Sequence, residues 1–162
     1  MDTFFTIITW FGSLYLLLPL TTMICLVLIG SGRSGQAVLL SLSLFITVIL
    51  VHAAKLIFRQ PRPAELELLV TLPLSWSFPS AHSAQATAFF LSVTLIAMKV
   101  FSPLPSALIA LFSLLFTGVV GFSRVYLQVH YISDVLAGMI LAVPVVLAVQ
   151  FFIPRLAWLQ GK

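Results

Sequence analysis

The chain has 162 residues, of which 61% are hydrophobic and only 7% charged, with mean hydropathy +1.19 and a formal net charge of +4. Soluble domains are roughly 45–50% apolar, and a soluble fold could not hide this much apolar surface, so the composition excludes an ordinary soluble domain and implies an integral membrane protein. The basic excess does not describe a nucleic-acid binder, because the cations form no run and are not interleaved with aromatic residues.

A membrane-crossing helix needs about 20 predominantly apolar residues. In chain order, the sequence predicts a short amphipathic, interfacial piece over residues 3–11 that ends at Gly12, and then a first span over 13–30. Asp2 stands where a signal peptide would carry basic residues, and no small-residue cleavage pattern follows, so the first segment reads as a retained helix. Cys25, the single cysteine, lies in this first span; it excludes an intrachain disulfide and reads as a buried, inert thiol. Gly30, Ser31, Gly32, Ser34 and Gly35 mark a turn, after which residues 36–58 form the second span. Residues 81–101 form the third span, Ser102, Pro103 and Pro105 a further turn, and residues 104–124 and 133–153 the fourth and fifth spans. No internal repeat interrupts the pattern. The expected fold is one all-α membrane-embedded domain over 1–162, a bundle of about five transmembrane helices plus a short N-terminal interfacial helix.

The longest polar interruption, residues 59–80, holds Arg59, Arg62, Glu65, Glu67 and four prolines. Irregular backbone is not tolerated against lipid, so this segment belongs at the interface or lines a cavity. A plain solvated connector accounts for Glu65 and Glu67 but less well for Arg62-Pro63 and Pro79-Ser80. Five spans bring the end of span two, the start of span three, the end of span four and the start of span five to one side. All four acids (Asp2, Glu65, Glu67, Asp134) fall on that side, whereas Arg33, Lys99, Arg155 and Lys162 fall on the other. The positive-inside rule then places the acid-free side in the cytoplasm and the opposite side outside.

Three clusters converge on that outer side: Lys55 with Arg59, Arg62 and Pro63; Pro79-Ser80-Ala81-His82; and Ser123-Arg124 with His130 and Asp134. Ionisable residues in so apolar a chain mark a site by default. Several fixed cations suit a phosphate group, and the arginine fork matches its oxygens while staying protonated. Lys55 taken alone reads better as a side chain snorkelling from its helix to the interface than as a site residue. Ser80 stands as the N-cap of span three, and a helix start offers free N–H groups to an anion. His82 in the next turn is a residue that can donate a proton to a leaving oxygen. His130 and Asp134 are four residues apart and would share one helix face, so that the carboxylate holds Nδ1–H and leaves Nε2 free as a nucleophile. His52, one turn from Lys55, reads as a packed or outlying histidine without a named partner. No metal constellation stands out, since the cations around the two histidines and the aspartate would repel a metal ion.

Lys55-(six residues)-Arg62-Pro63, Pro79-Ser80-Ala81-His82 and Ser123-Arg124-(five residues)-His130-(three residues)-Asp134 together resemble the three-part signature of the type 2 phosphatidic acid phosphatase superfamily, which also includes glucose-6-phosphatase and the vanadium haloperoxidases. The resemblance covers roughly residues 40–150. It implies that His130 attacks phosphorus and forms a phosphohistidine, that Asp134 orients it, and that His82 protonates the leaving oxygen and then helps activate water. It further implies that Lys55, Arg62, Ser80, Arg124 and the backbone near Ala81 hold the phosphate, with no metal or other cofactor. Two departures stand out: Ala81 replaces the family's usual glycine, and many membrane members have six spans.

The function these readings favour is an integral membrane lipid phosphatase with its site on the periplasmic or extracellular face of a bacterial inner (cytoplasmic) membrane. Its partner would be a lipid phosphate in the bilayer and no nucleic acid: undecaprenyl pyrophosphate, phosphatidylglycerophosphate, phosphatidate or the lipid A 1-phosphate. The loop over 64–78, with Glu65, Glu67 and Trp76, is expected to shape head-group choice. The alternative is a non-hydrolytic phospholipid-binding or transport protein that keeps the phosphate pocket; a binder needs the cations but not the proton-transfer set of His82, His130 and Asp134. A haloperoxidase suits five apolar spans poorly.

Overall fold

In a computed structural model of the chain, which describes residues 1–63 and 74–159, every regular element is helical. Helices satisfy their own backbone groups, which lipid cannot do. The elements are α1 (Asp2–Thr9), a 3-10 turn (Trp10–Gly12), α2 (Leu14–Gly30), α3 (Ser34–Phe58), α4 (Ala81–Val100), α5 (Pro103–Tyr126) and α6 (Ile132–Leu159). Four of these, α3 to α6, are long and apolar enough to cross a membrane on their own. A fifth crossing is available if α1, the 3-10 turn and α2 act as one span, bent by 49° at Ser13. With 17 residues α2 is about 25 Å long, slightly short of a full crossing alone. The bundle of four to five spans and the short helix ending at Gly12 agree with the sequence expectation; α5 and α6 extend past the expected ends.

Local chemistry explains the helix ends. Ser13 and Ser80 cap α2 and α4, each hydroxyl accepting a backbone N–H, and Pro103 opens α5 where a missing N–H does no harm. At the end of α2, Gly32 takes φ +72°, its N–H reaching the Ile29 carbonyl while that of Arg33 reaches Leu28. This pair of bonds is the glycine-dependent way of closing a helix C-terminus. Arg59 ends α3 with φ 46° and returns its own Nε to the Leu56 carbonyl. That gives Arg59 a helix-ending part to play and leaves it outside the site.

α4 is the centre of the bundle: 67% of its span is buried, against 22–39% for the other three long helices. Its inward positions are small or hydroxylic (Ser83, Ala84, Ala86, Thr87, Ala88), which lets neighbouring backbones approach closely. The neighbours contribute glycines at the same level. A side chain at Gly138 of α6 would place Cβ 2.5 Å from the Ser80 carbonyl oxygen and 3.3 Å from Ala84 N. Gly12 is similarly confined, with the His82 carbonyl 2.8 Å from where its Cβ would stand.

The ends of α3 and α5 and the starts of α4 and α6 therefore lie together at one end of the bundle. Arg33 and Lys99 sit beside the turns at the other end. Glu65 and Glu67, and the side chains of Arg155 and Lys162, lie outside the described residues. Cys25 is half-buried with its thiol 3.5 Å from the Ala37 carbonyl, so it is less enclosed than expected. His52 is exposed on the outer surface of α3, its Nδ1 2.8 Å from the Val48 carbonyl. It is therefore neither packed in the core nor near the clusters.

Gly138→Ala is expected to destabilise the protein by about 1–3 kcal/mol, because the added carbon meets backbone that cannot yield. Gly118→Ala, with nothing within 4 Å of the new Cβ, should be close to neutral in the same thermal denaturation in detergent.

Candidate active site

Each of the three clusters arrives at this end of the bundle on a different support. Lys55 lies in the last turn of α3, only 4% exposed, and its Nζ donates to the carbonyls of Trp76 (2.5 Å) and Ser77 (3.1 Å). Arg62, four residues past α3, is pinned by five protein acceptors, one of them His130 Nε2. Nε donates to the Ser75 carbonyl at 2.9 Å, Nη1 to the Val129 carbonyl at 2.7 Å, and Nη2 to Ser75 Oγ at 3.1 Å and the Trp76 carbonyl at 3.5 Å. These carbonyl contacts explain how two cations are held close together in a low-dielectric setting: fixed dipoles replace the lost water. Burial holds the Arg62 guanidinium below its ordinary pKa, against the pull of Asp134, but it remains a cation.

Ser80 is fully buried as the N-cap of α4, its Oγ accepting from Ser83 Oγ at 2.9 Å and its N–H donating to the Asp134 carbonyl at 2.9 Å. Ala81 is the first helical residue and is absent from the positive-φ positions. The alanine therefore fits an ordinary helical conformation, and the first N–H groups of α4 lack intrahelical acceptors, as at any helix start. His82 is half-buried, has no hydrogen-bond partner among the described residues, and lies within electrostatic reach of Arg124, His130, Arg62 and Lys55.

The third cluster contains the nucleophile candidate. His130 does not lie on α6, which starts at Ile132; it sits in the α5–α6 connection, two residues past Gln128 at φ 58°. The pair with Asp134 forms because Asp134 occupies the first turn of α6 and folds back over the connection. Asp134 Oδ2 is 3.2 Å from His130 Nδ1 and also accepts from Tyr131 N at 3.0 Å. Ser77 Oγ adds a third donor at 2.5 Å and lies 3.3 Å from His130 Nδ1. Asp134 is completely buried and His130 is 3% exposed. Three donors on one oxygen fix the carboxylate, and the carboxylate fixes Nδ1 as the protonated nitrogen. Nε2 is then an acceptor, facing Arg62 Nη1 at 3.2 Å. Burial pushes the His130 pKa down to about 4, the bond to Asp134 acting upward and the cations Arg62, Arg124 and Lys55 downward. The imidazole is accordingly neutral near pH 7, the form a nucleophile requires.

Arg124, in the last turn of α5, is 5% exposed and donates from Nη1 to Thr9 Oγ1 at 2.5 Å. A cavity of about 510 Å3, lined by Pro63, Val125, Gln128, His130, Tyr131, Ile132 and Ser133, opens beside the His130 ring. Among the described residues no group of three His, Cys, Asp or Glu side chains is placed to hold a metal ion. Lys55, Arg62, Ser80, Ala81, His82, Arg124, His130 and Asp134 are thus brought to one place. Ser77 and Thr9 were not legible beforehand: neither belongs to a spaced motif, and the only hint for Ser77 was its position in the polar interruption beside Pro79.

The PAP2 superfamily model matches residues 36–158. The chain is similar to the crystal structure of a transmembrane PAP2-type phosphatidylglycerolphosphate phosphatase from Bacillus subtilis, with 28% identity, TM-score 0.85, and coverage of 95% of this chain and 77% of that one. It is also similar to the crystal structure of Aquifex aeolicus LpxE, with 28% identity, TM-score 0.75, and coverage of 92% of this chain and 84% of that one. The matched segment contains all three clusters and the whole of the His130–Asp134 arrangement, and the chain belongs to the PAP2 superfamily.

Proposed function

We propose that this membrane protein hydrolyses a phosphomonoester or pyrophosphate on a lipid through a phosphohistidine at His130. The observation that carries the reading is the presentation of His130. Nδ1 is held by Asp134, and Nε2 is turned toward Arg62, one of the cations that would hold a phosphate. In the first step the Nε2 lone pair attacks phosphorus and the bond from phosphorus to the lipid oxygen breaks. His82 gives its proton to the leaving oxygen, and a bound dianion favours the protonated imidazole this requires. Asp134 stabilises the imidazolium that forms on His130. In the second step His82 takes a proton from water, the resulting hydroxide attacks phosphorus, and the P–N bond breaks to release inorganic phosphate. Lys55, Arg62, Arg124, Ser80 and the free N–H groups at Ala81 offset the charge spread over the phosphoryl oxygens. These fixed cations supply the charge that a metal ion would otherwise provide.

A lipid substrate is supported by the largely apolar cavity beside His130 and by the position of the site at the ends of the spans. The candidates are undecaprenyl pyrophosphate, phosphatidylglycerophosphate, phosphatidate and lipid A 1-phosphate. A compact chain with an outward-facing site favours undecaprenyl pyrophosphate, then phosphatidylglycerophosphate or lipid A. The second is the lipid named for one of the similar structures. Arg33 and Lys99 at the far end of the bundle support a site on the outer face of a bacterial inner membrane.

Detergent-solubilised protein incubated with that lipid panel in the presence of a chelator is expected to release phosphate undiminished. A preference of at least about tenfold, about 1.4 kcal/mol in the transition state, names the substrate; loss of release on chelation overturns the metal-independent route. His130→Ala should reduce turnover by about 10³-fold or more and abolish an acid-labile, base-stable phosphoenzyme trapped from labelled substrate, and turnover that survives the change would move the nucleophile elsewhere. Ser77→Ala removes one donor from Asp134 and should lower kcat about tenfold with KM little changed, as expected for one hydrogen bond to a charged group. An unaltered kcat would limit Ser77 to packing.

A further inference from the structure

We infer that Thr9 is a positioning residue for Arg124, so that the N-terminal segment completes the phosphate site. The part given to Arg124 rests on the phosphatase reading; the contact to Thr9 does not. Arg62 is held by five protein acceptors and Lys55 by two carbonyls, whereas the Arg124 side chain donates, among the described residues, only to Thr9 Oγ1. Its Nε is buried without a partner among the described residues. Thr9 lies 115 residues away in sequence and outside the 36–158 segment that defines the family match.

Thr9 itself is firmly seated. Asp2 Oδ1 accepts from the Tyr126 hydroxyl at 2.8 Å, and the Phe5 ring packs on Tyr126 and Phe122 at centroid distances of 4.2 and 5.6 Å. Three residues after Thr9, Gly12 lies so close to the His82 backbone that a Cβ would meet its carbonyl oxygen. α1 is thereby clamped along the last turns of α5 at one end and against the start of α4 at the other. Because α1 is seated at both ends, the Thr9 hydroxyl meets the Arg124 Nη1 from a fixed backbone position. The guanidinium is a rigid planar fork, so anchoring one Nη fixes the direction of the remaining N–H groups, which are left for phosphate oxygens. Without Thr9 the cation stays in place but its fork is no longer aimed.

The test uses the full chain in detergent micelles. It measures hydrolysis of undecaprenyl pyrophosphate, phosphatidylglycerophosphate, phosphatidate and lipid A 1-phosphate, inhibition by inorganic phosphate, and the rise in Tm that inorganic phosphate produces relative to each variant's own phosphate-free Tm. Thr9→Val is expected to lower kcat/KM about tenfold and to raise the inhibition constant for phosphate by a similar factor. Thr9→Ser, which keeps the acceptor, should remain within about twofold of the unaltered protein. In an Arg124→Met background, adding Thr9→Val should change the phosphate-dependent Tm shift no further, since coupled residues are not additive. Unaltered phosphate inhibition in Thr9→Val, equal losses with and without Arg124, or failure of Thr9→Ser to restore function would each overturn the inference. If the unaltered protein binds phosphate but hydrolyses no lipid, the phosphatase reading falls, and the Tm shifts still decide the Thr9–Arg124 coupling. If it neither binds nor hydrolyses, both fall.

Discussion

A carboxylate with no solvent exposure, in a chain this apolar, is stable only where protein donors take the place of water. Asp134 meets that condition at Oδ2, which takes His130 Nδ1, Ser77 Oγ and the Tyr131 N–H, while Oδ1 is buried without a partner among the described residues and the main-chain carbonyl oxygen accepts the Ser80 N–H. Through these contacts one residue ties together the α5–α6 connection, the segment before α4 and the cap of α4. The nucleophile candidate, the acid candidate and the helix start proposed to face the phosphate are thus referenced to one buried charge. Three cations surround it, and their mutual repulsion is tempered by backbone carbonyls and two hydroxyls. One carboxylate against three fixed cations leaves a site with net positive charge, which an incoming phosphate dianion would relieve.

Packing delivers this geometry. The small residues of α4 and the glycines of its neighbours bring backbones close enough for the Ser80 and Asp134 main chains to hydrogen-bond directly across two helices. Larger residues at Gly138 or Gly12 would separate α6 or the N-terminal arm from the start of α4, and with them the groups proposed to hold the phosphate. The lipid-facing surfaces of α3, α5 and α6 carry no such constraint and are simply apolar. The molecule is therefore rigid where the chemistry is proposed and permissive where it meets the membrane.

Much of this was legible in one dimension because a membrane protein is read under a severe constraint. With so few charged residues, the positions of Lys55, Arg62, Arg124 and Asp134 identify the site almost by elimination, and span parity brings them to one side. The His130–Asp134 pair was rightly paired but wrongly supported: helical spacing suggested a shared helix face, whereas His130 precedes α6 and the aspartate folds back to it. His52 shows the converse limit. It stands one turn from Lys55 in sequence yet is exposed, its ring bonded back to the Val48 carbonyl of its own helix, so spacing alone did not place it in the site. The proposed influence of Glu65 and Glu67 on head-group choice lies outside the described residues.

By itself the sequence determined the number and order of the spans, the side on which the clusters gather, and the residue types available for chemistry. Each of these follows from local composition and from the roughly 20-residue length of a bilayer crossing. Only the tertiary structure decided which hydrogen bonds orient those residues. Ser77 on Asp134, the Arg62 carbonyl cradle and Thr9 on Arg124 join positions 57, 67 and 115 residues apart. No periodicity records such contacts, because they arise where close-packed helices happen to set an irregular segment against a helix end.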